Sequence, residues 1–179
     1  MVRRSAALLL VLLVSACGGN QSTPLGSPDP VSTTATQGRF VLVFTIDRTT
    51  VHPTDSISGT ANLTLLTPGS ATVTGSSNLT LFEFTEVGGN GRDVVPIGPS
   101  DCAPQQVASR EPLVTPIAKS GTVPGGPDAD WYKQFLADPA IRLPKGDWDI
   151  TAIAGFFDGL GCSGARYDLQ ATVRVHVIE

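Results

Sequence analysis

The thiol of Cys17 has the clearest chemical context in this 179-residue sequence. Arg3 and Arg4 give a positive start, residues 6–14 form an uninterrupted apolar run, and Val14-Ser15-Ala16 leads directly into Cys17. Gly18 and Gly19 leave the sulfur sterically open. The run has the length of a signal-peptide core. A permanent spanning helix needs about 20 apolar residues, so a transmembrane anchor is the poorer reading.

Other chemistry is hard to assemble from the remaining residues. Hydrolases need a nucleophile beside a base. There are two histidines: His52 precedes Pro53 in a turn, and His176 sits on the outward face of the last predicted strand. No serine can be named as the partner of either. Gly-x-Ser-x-Gly, a phosphate-binding P-loop, GxGxxG after a strand and HExxH are all absent from the sequence. Asp128, Asp130, Asp147, Asp149 and Asp158 fall in or beside predicted loops, where carboxylates can gather around Ca²⁺. None follows the spaced Asp-x-Asp-x-Asp-Gly pattern, and helix capping and turn formation account for Asp128, Asp130 and Asp147. Asn20, Asn62 and Asn78 head Asn-x-Ser/Thr triplets, the glycan-acceptor pattern of eukaryotic secreted proteins, and match it by chance if the chain is not of that kind. No metal and no cofactor is expected, and the chain reads as non-catalytic.

The segment Val14-Ser15-Ala16-Cys17, placed after a charged start and an apolar core, resembles the lipobox of bacterial lipoprotein signals. The resemblance covers residues 1 to about 19, with Val14 where Leu often stands. It implies cleavage before Cys17, a diacylglyceryl thioether on that sulfur and, often, a third acyl chain on the new N-terminus. Two or more chains anchor a protein stably, at roughly 0.8 kcal/mol per buried CH₂. The expected location is therefore the bacterial cell envelope, with the domain on the extracytoplasmic side and the membrane as its partner through Cys17. An ordinary secretory signal also ends in small residues and is the competing reading.

Export organises the other two cysteines. With Cys17 lipidated, Cys102 and Cys162 form an even pair in an oxidising compartment, and a disulfide between them is expected. Removing Arg3 and Arg4 with the leader lowers Lys plus Arg from 12 to 10 against 16 acids, so the formal charge moves from −4 to −6. Such a domain has no electrostatic footprint for nucleic acid.

These residues must be positioned by a β domain. Residues 1–16 read as the leader and 17–38 as a lipidated, flexible tether of Gly, Ser, Thr and Pro, too polar to offset the entropy of ordering. Residues 39–179 read as one domain, ample for a core. Phe40, Leu42, Phe44 and Ile46 alternate, as do Ile57, Gly59, Ala61, Leu63 and Leu65. Residues 71–74 and 78–87 are two strands, or one bent strand with a bulge at Gly75. Gly88-Gly89-Asn90-Gly91 is a turn from which residues 92–97 return. The clearest strands alternate through Trp148, Ile150, Ala152, Ala154 and Phe156, and through Leu169, Ala171, Val173, Val175 and Val177. Residues 98–127 carry six prolines and admit only short strands. A short helix is expected over 131–137, capped by Asp128 or Asp130 and stopped by Pro139.

The fold class that follows is all-β: a single antiparallel two-sheet β-sandwich with one short helix and a Pro-rich irregular segment. Leu143-Pro144-Lys145-Gly146-Asp147-Trp148 and the alternation after it resemble a strand entry in bacterial immunoglobulin-like modules, with Trp148 where Tyr often stands. That resemblance implies an Ig-like sandwich and no particular ligand. The expected role is binding or structural, toward an envelope protein or glycan. An enzyme or enzyme inhibitor acting through the loops is the alternative. The expected contact surface is Phe157, Leu160 and Tyr132 at one end of the sandwich. Trp131 and Phe135, one turn apart on the helix, are expected to plug the core and leave Tyr132 outside.

Overall fold

Strand pairing begins with the two best alternating segments. In the computed structural model, which describes residues 29–179, they form β9 (Gly146–Asp158) and β10 (Ala165–Val177), paired antiparallel along their whole length. Before them the chain runs β1 (Val31–Gln37), β2 (Phe40–Ile46), β3 (Thr50–Val51), β4 (Gly59–Leu65), β5 (Ser70–Val87), β6 (Asp93–Val94), β7 (Ala103–Ala108), β8 (Leu113–Pro116) and α1 (Ala129–Ala137). One sheet has the order β1-β2-β4-β8 and the other β3-β10-β9-β5-β6, with β7 also paired to β5.

Over the described residues the protein is thus mostly β, with two sheets and one short helix. The expectation of purely antiparallel sheets is corrected at one place. β3 lies parallel to β10, with Thr50 opposite His176 and Val51 opposite Val177. The link from β2 carries the chain to the far sheet, and there it adds two residues to the free edge of β10.

A second correction concerns the tether. Residues 31–37 were expected to be flexible, yet they form β1, in register with β2 from Val31↔Ile46 to Gln37↔Phe40. Composition misleads here because an edge strand needs an unpaired neighbour more than an apolar face. Gly38, at φ +56°, makes the tight return to β2. The boundary of the folded domain therefore lies at or before Val31. The leader, Cys17 and the first part of the expected tether lie outside the described residues.

β5 is the single bent strand allowed by its sequence. Its register against β9 slips between Gly75 and Thr80. Ala71 and Val73 face the core before the slip, and Phe82 and Phe84 face it afterwards. Gly75 is required at the bend, because a Cβ there would stand 2.9 Å from the carbonyl oxygen of Gly155 and 3.0 Å from Leu79. The return strand β6 is shorter than expected, at two residues.

The core lies between the sheets. It is built on Phe40, Phe44, Phe82, Phe84, Phe156 and Trp148, all buried. The Trp148 indole N–H donates to the carbonyl of Pro144 (3.0 Å), which satisfies its polar edge. Helix α1 closes this end. Trp131 stacks between Phe135 and Trp148, with ring centroids 5.2 and 5.8 Å away. Asp128 precedes the helix but makes no side-chain cap; its carboxylate accepts from Arg92 instead.

The C-terminal carbonyls of α1 are satisfied from outside the helix. The Lys119 ammonium donates to the carbonyls of Phe135, Asp138 and Ala140 and lies 4.6 Å over the Phe135 ring. A charged donor placed on helix C-terminal carbonyls is favourable on both hydrogen-bonding and dipole grounds. Lys119→Met is expected to leave these acceptors short of donors and to cost about 2–4 kcal/mol. Thermal unfolding should show a fall of roughly 5–10 °C. An unchanged midpoint would show that water replaces the ammonium.

Candidate functional site

The disulfide brings the irregular middle of the chain onto the regular sheet. Cys102 and Cys162, 60 residues apart, are bonded with Cα atoms 5.5 Å from each other. Both cysteines sit in the left-handed region, at φ 49° and 54°, Cys102 directly before β7 and Cys162 in the turn between β9 and β10. Thr74 holds the second loop. Its buried hydroxyl accepts from the N–H of Cys162 and donates to the carbonyl of Gly159, both at 2.9 Å. The first loop is held by Asp101, which accepts the N–H of Ser77 (2.9 Å), and by Gln105, whose amide donates to the carbonyls of Ser76 and Ser77. Every one of these partners lies at the bulge of β5. The slip in register frees backbone groups there, and loop side chains take them up.

Between the loops lies an open hollow of about 380 Å³. Its walls include Ser76, Leu81, Gly98, Pro99, Phe157 and Arg166 beside the disulfide. Gly98 crosses so close to Leu81 that a Cβ would come within 2.9 Å of it. The lining combines apolar carbon with a few hydroxyls and one guanidinium. Such a surface can hold a flat or extended group.

The structure divides the three residues expected at the contact surface. Phe157 is half-buried and lines the hollow, beneath the Pro-rich segment. Leu160 is 68 % exposed at the tip of the β9–β10 loop. Tyr132 is 7 % exposed and belongs to the core, which corrects the expectation that it would face solvent. Its hydroxyl accepts the N–H of Asp93 (2.9 Å), so burial costs it no hydrogen bond. Trp131 is instead the partly exposed member, with Arg92 stacked 4.9 Å from its ring. Tyr132 packs edge-on against Trp131, which lies over Trp148 near the start of β9. Phe157 is nine residues further along that strand, about 30 Å away by strand rise. The three residues do not form one surface.

The acids weighed as calcium ligands are dispersed, each beside a basic side chain. The pairs are Asp128–Arg92, Asp130–Lys133, Asp147–His176, Asp149–Arg174 and Asp158–Arg39. Among the described residues no group of three or more His, Cys, Asp or Glu side chains is placed to hold a metal ion. His176 bonds Asp147 at 2.8 Å on the exposed face of β10, and His52 is exposed beside Pro53. The Arg39–Asp158 fork (2.7–3.1 Å) had no signal in the sequence. It joins residues 119 apart and ties the β1–β2 turn to the end of β9. Burial, with Asp93 adding to it, pushes the Glu83 carboxyl above its ordinary value on the outer face of β5.

Two further depressions lie on the opposite side of the sandwich from β1. One, of about 470 Å³, has Ile57, Pro116, Lys119 and Leu136 in its walls. Its only ammonium is already engaged by the helix carbonyls. The other, of about 310 Å³, lies between residues 78–82 of β5 and residues 115–120. The buried Thr80 hydroxyl beside it has no hydrogen-bond partner among the described residues. Comparison with protein-family models, curated proteins and solved structures finds no match to the chain.

Two outcomes follow from the site. Replacing both Cys102 and Cys162 with Ser should cost up to about 4 kcal/mol, the chain-entropy value for so long a loop. It should also open residues 95–102 to protease before the sheets unfold; equal stability and equal protection would contradict the bracing role. The second outcome concerns acid. Hydrogen bonding to Arg174 holds the Asp149 carboxyl below its ordinary value against a smaller opposing effect of burial. Its stabilisation is present above the ordinary value near 3.9 and is lost as pH falls through the lowered value. Arg174→Met should therefore lose about 0.5–1 kcal/mol at neutral pH, and in urea unfolding the difference from the wild type should shrink as the pH falls below the ordinary carboxylate range.

Proposed function

We propose that this protein is a bacterial lipoprotein, held on the extracytoplasmic side of a membrane by lipid on Cys17, with a non-catalytic binding or structural role. The observation that carries the proposal is Val14-Ser15-Ala16-Cys17 after a charged start and an apolar run. The disulfide between Cys102 and Cys162 supports it, since such bonds persist in oxidising compartments. The finer fold reading is an immunoglobulin-like sandwich, supported by two packed sheets and by the buried Trp148 after a Pro/Gly turn.

The partner class proposed is an envelope protein or glycan, met at the disulfide-braced end. Leu160 protrudes there from a loop held at Cys162 and Thr74, beside the hollow under Pro99 and Phe157. Bracing lowers the conformational entropy lost on contact. The role is non-catalytic because the hollow offers contact area and hydrogen-bonding groups rather than a nucleophile beside a base.

The anchor is tested directly. Wild-type protein should partition into detergent and carry a diacylglyceryl mass on the N-terminal peptide, whereas Cys17→Ser should remain an uncleaved, unlipidated precursor. Wild-type protein with a free Cys17 thiol in the mass spectrum would overturn the proposal.

A further inference from the structure

The free edges of the two sheets are protected unequally. β3 and β6 are two residues long and are followed closely by Pro53 and Pro96. β7 contains Pro104, and β8 follows Pro112 and ends on Pro116. Shortness and proline are the usual means by which a sheet edge is kept from pairing with another chain. β1 has neither. It is seven residues long, Val-Ser-Thr-Thr-Ala-Thr-Gln, with no proline, no charge and no bulge against β2.

The hydrogen-bonding direction of β1 follows from its neighbours. Arg39 and Asp47 bond across to Leu66 and Ser58 beside β4, so odd residues at β2 face β4 and even residues face β1. Their partners in β1 are odd-numbered. Ser32, Thr34 and Thr36 therefore turn their N–H and C=O groups outward, and all three residues are exposed. Among the described residues no backbone hydrogen bond reaches that edge. β1 packs across the core against β10, and at its end Gln37 Oε1 accepts the N–H of Asp168 (2.8 Å).

The geometry points to β1 as a strand-addition edge whose occupant is β1 of a second copy of this chain, antiparallel about Thr34. The strand is complementary to itself in that arrangement. Thr34 opposes Thr34 of the second copy, Ser32 opposes Thr36, and about six backbone hydrogen bonds form. The opposed hydroxyls match pairs already present in the fold, Ser32–Thr45 at 2.7 Å and Thr151–Thr172 at 2.9 Å. The absence of charge on β1 matters because the chain as a whole is acidic and two copies otherwise repel. One strand junction buries less than the roughly 1,200 Å² of a stable interface, so the association is weak and depends on concentration.

The test uses the full chain carrying Cys17→Ser, in detergent micelles so that the apolar leader does not itself associate. Opposed residues in a hydrogen-bonded antiparallel pair have Cα atoms about 5.5 Å apart, within disulfide range. Thr34→Cys should cross-link between copies under mild oxidation at least about tenfold faster than Thr36→Cys, which faces Ser32 of its mate. Thr34→Pro removes an outward N–H and no hydrogen bond of the fold. It should abolish concentration-dependent sedimentation and leave the unfolding midpoint unchanged. A monomer at every concentration, equal cross-linking at positions 34 and 36, or self-association surviving Thr34→Pro would each overturn the inference. A monomer that takes up a strand from another protein counts among the overturning results.

Discussion

The burial of one face of β9 is the constraint from which the remaining structure follows. β9 lies between β10 and β5, and Trp148, Ile150, Ala152, Ala154 and Phe156 all point into the space between the sheets. Side chains alternate with a period of two, so a slip of one residue would turn this whole set into water. Neighbours must accommodate that register. β10 does so without interruption. β5 is longer than one twisted, regular pairing allows, and it keeps an apolar inner face on both halves only by slipping between Gly75 and Thr80. The bulge is where the disulfide loops attach, so the candidate contact region lies there as a consequence of core registry.

Several polar groups buried by this arrangement are satisfied by residues of other segments. Thr74 lies on the outer face of β5 at the bulge, buried under the disulfide loops, and serves both the N–H of Cys162 and the carbonyl of Gly159. Glu86, also buried, accepts from the N–H of Arg92 (3.3 Å) under the glycine turn, where Gly89 takes the left-handed φ of +58°. Lys119 supplies the end of α1. Each of these is a buried or half-buried donor–acceptor set whose loss leaves partners unsatisfied, which is costlier than the bond itself is favourable. They hold the irregular segment in place where it has little apolar surface of its own.

The two sides of the sandwich differ in consequence. On the side of β5, prolines, short strands and the helix cover or blunt the edges. On the side of β1, the chain presents a neutral ladder of Ser and Thr with its backbone turned outward. The end with Leu160 is separate from that edge, joined to it by the Arg39–Asp158 fork. A surface for a partner and an edge for a second copy can therefore coexist without sharing residues.

The residues that alternate strongly were sufficient, by themselves, to determine β2, β4, β9 and β10, the helix before Pro139 and the pairing of the only two cysteines past Cys17, while they left β5 open as two strands or one bent strand. The reason is local: a period of two or a proline stop is written in neighbouring residues, and two cysteines admit one pairing. Tertiary structure decided what depends on a neighbour. Residues 31–37 became a strand because β2 offered an edge, although their composition matches a tether. β3 became parallel because β10 was free beside it. Tyr132 turned inward because the N–H of Asp93, thirty-nine residues away, stood ready for its hydroxyl. Phe157 and Tyr132 were parted because residues adjacent on a helix or strand map say nothing of which end of a long strand each will occupy. Contacts of this kind join segments far apart in the chain, and only the packed fold brings their complementary groups together.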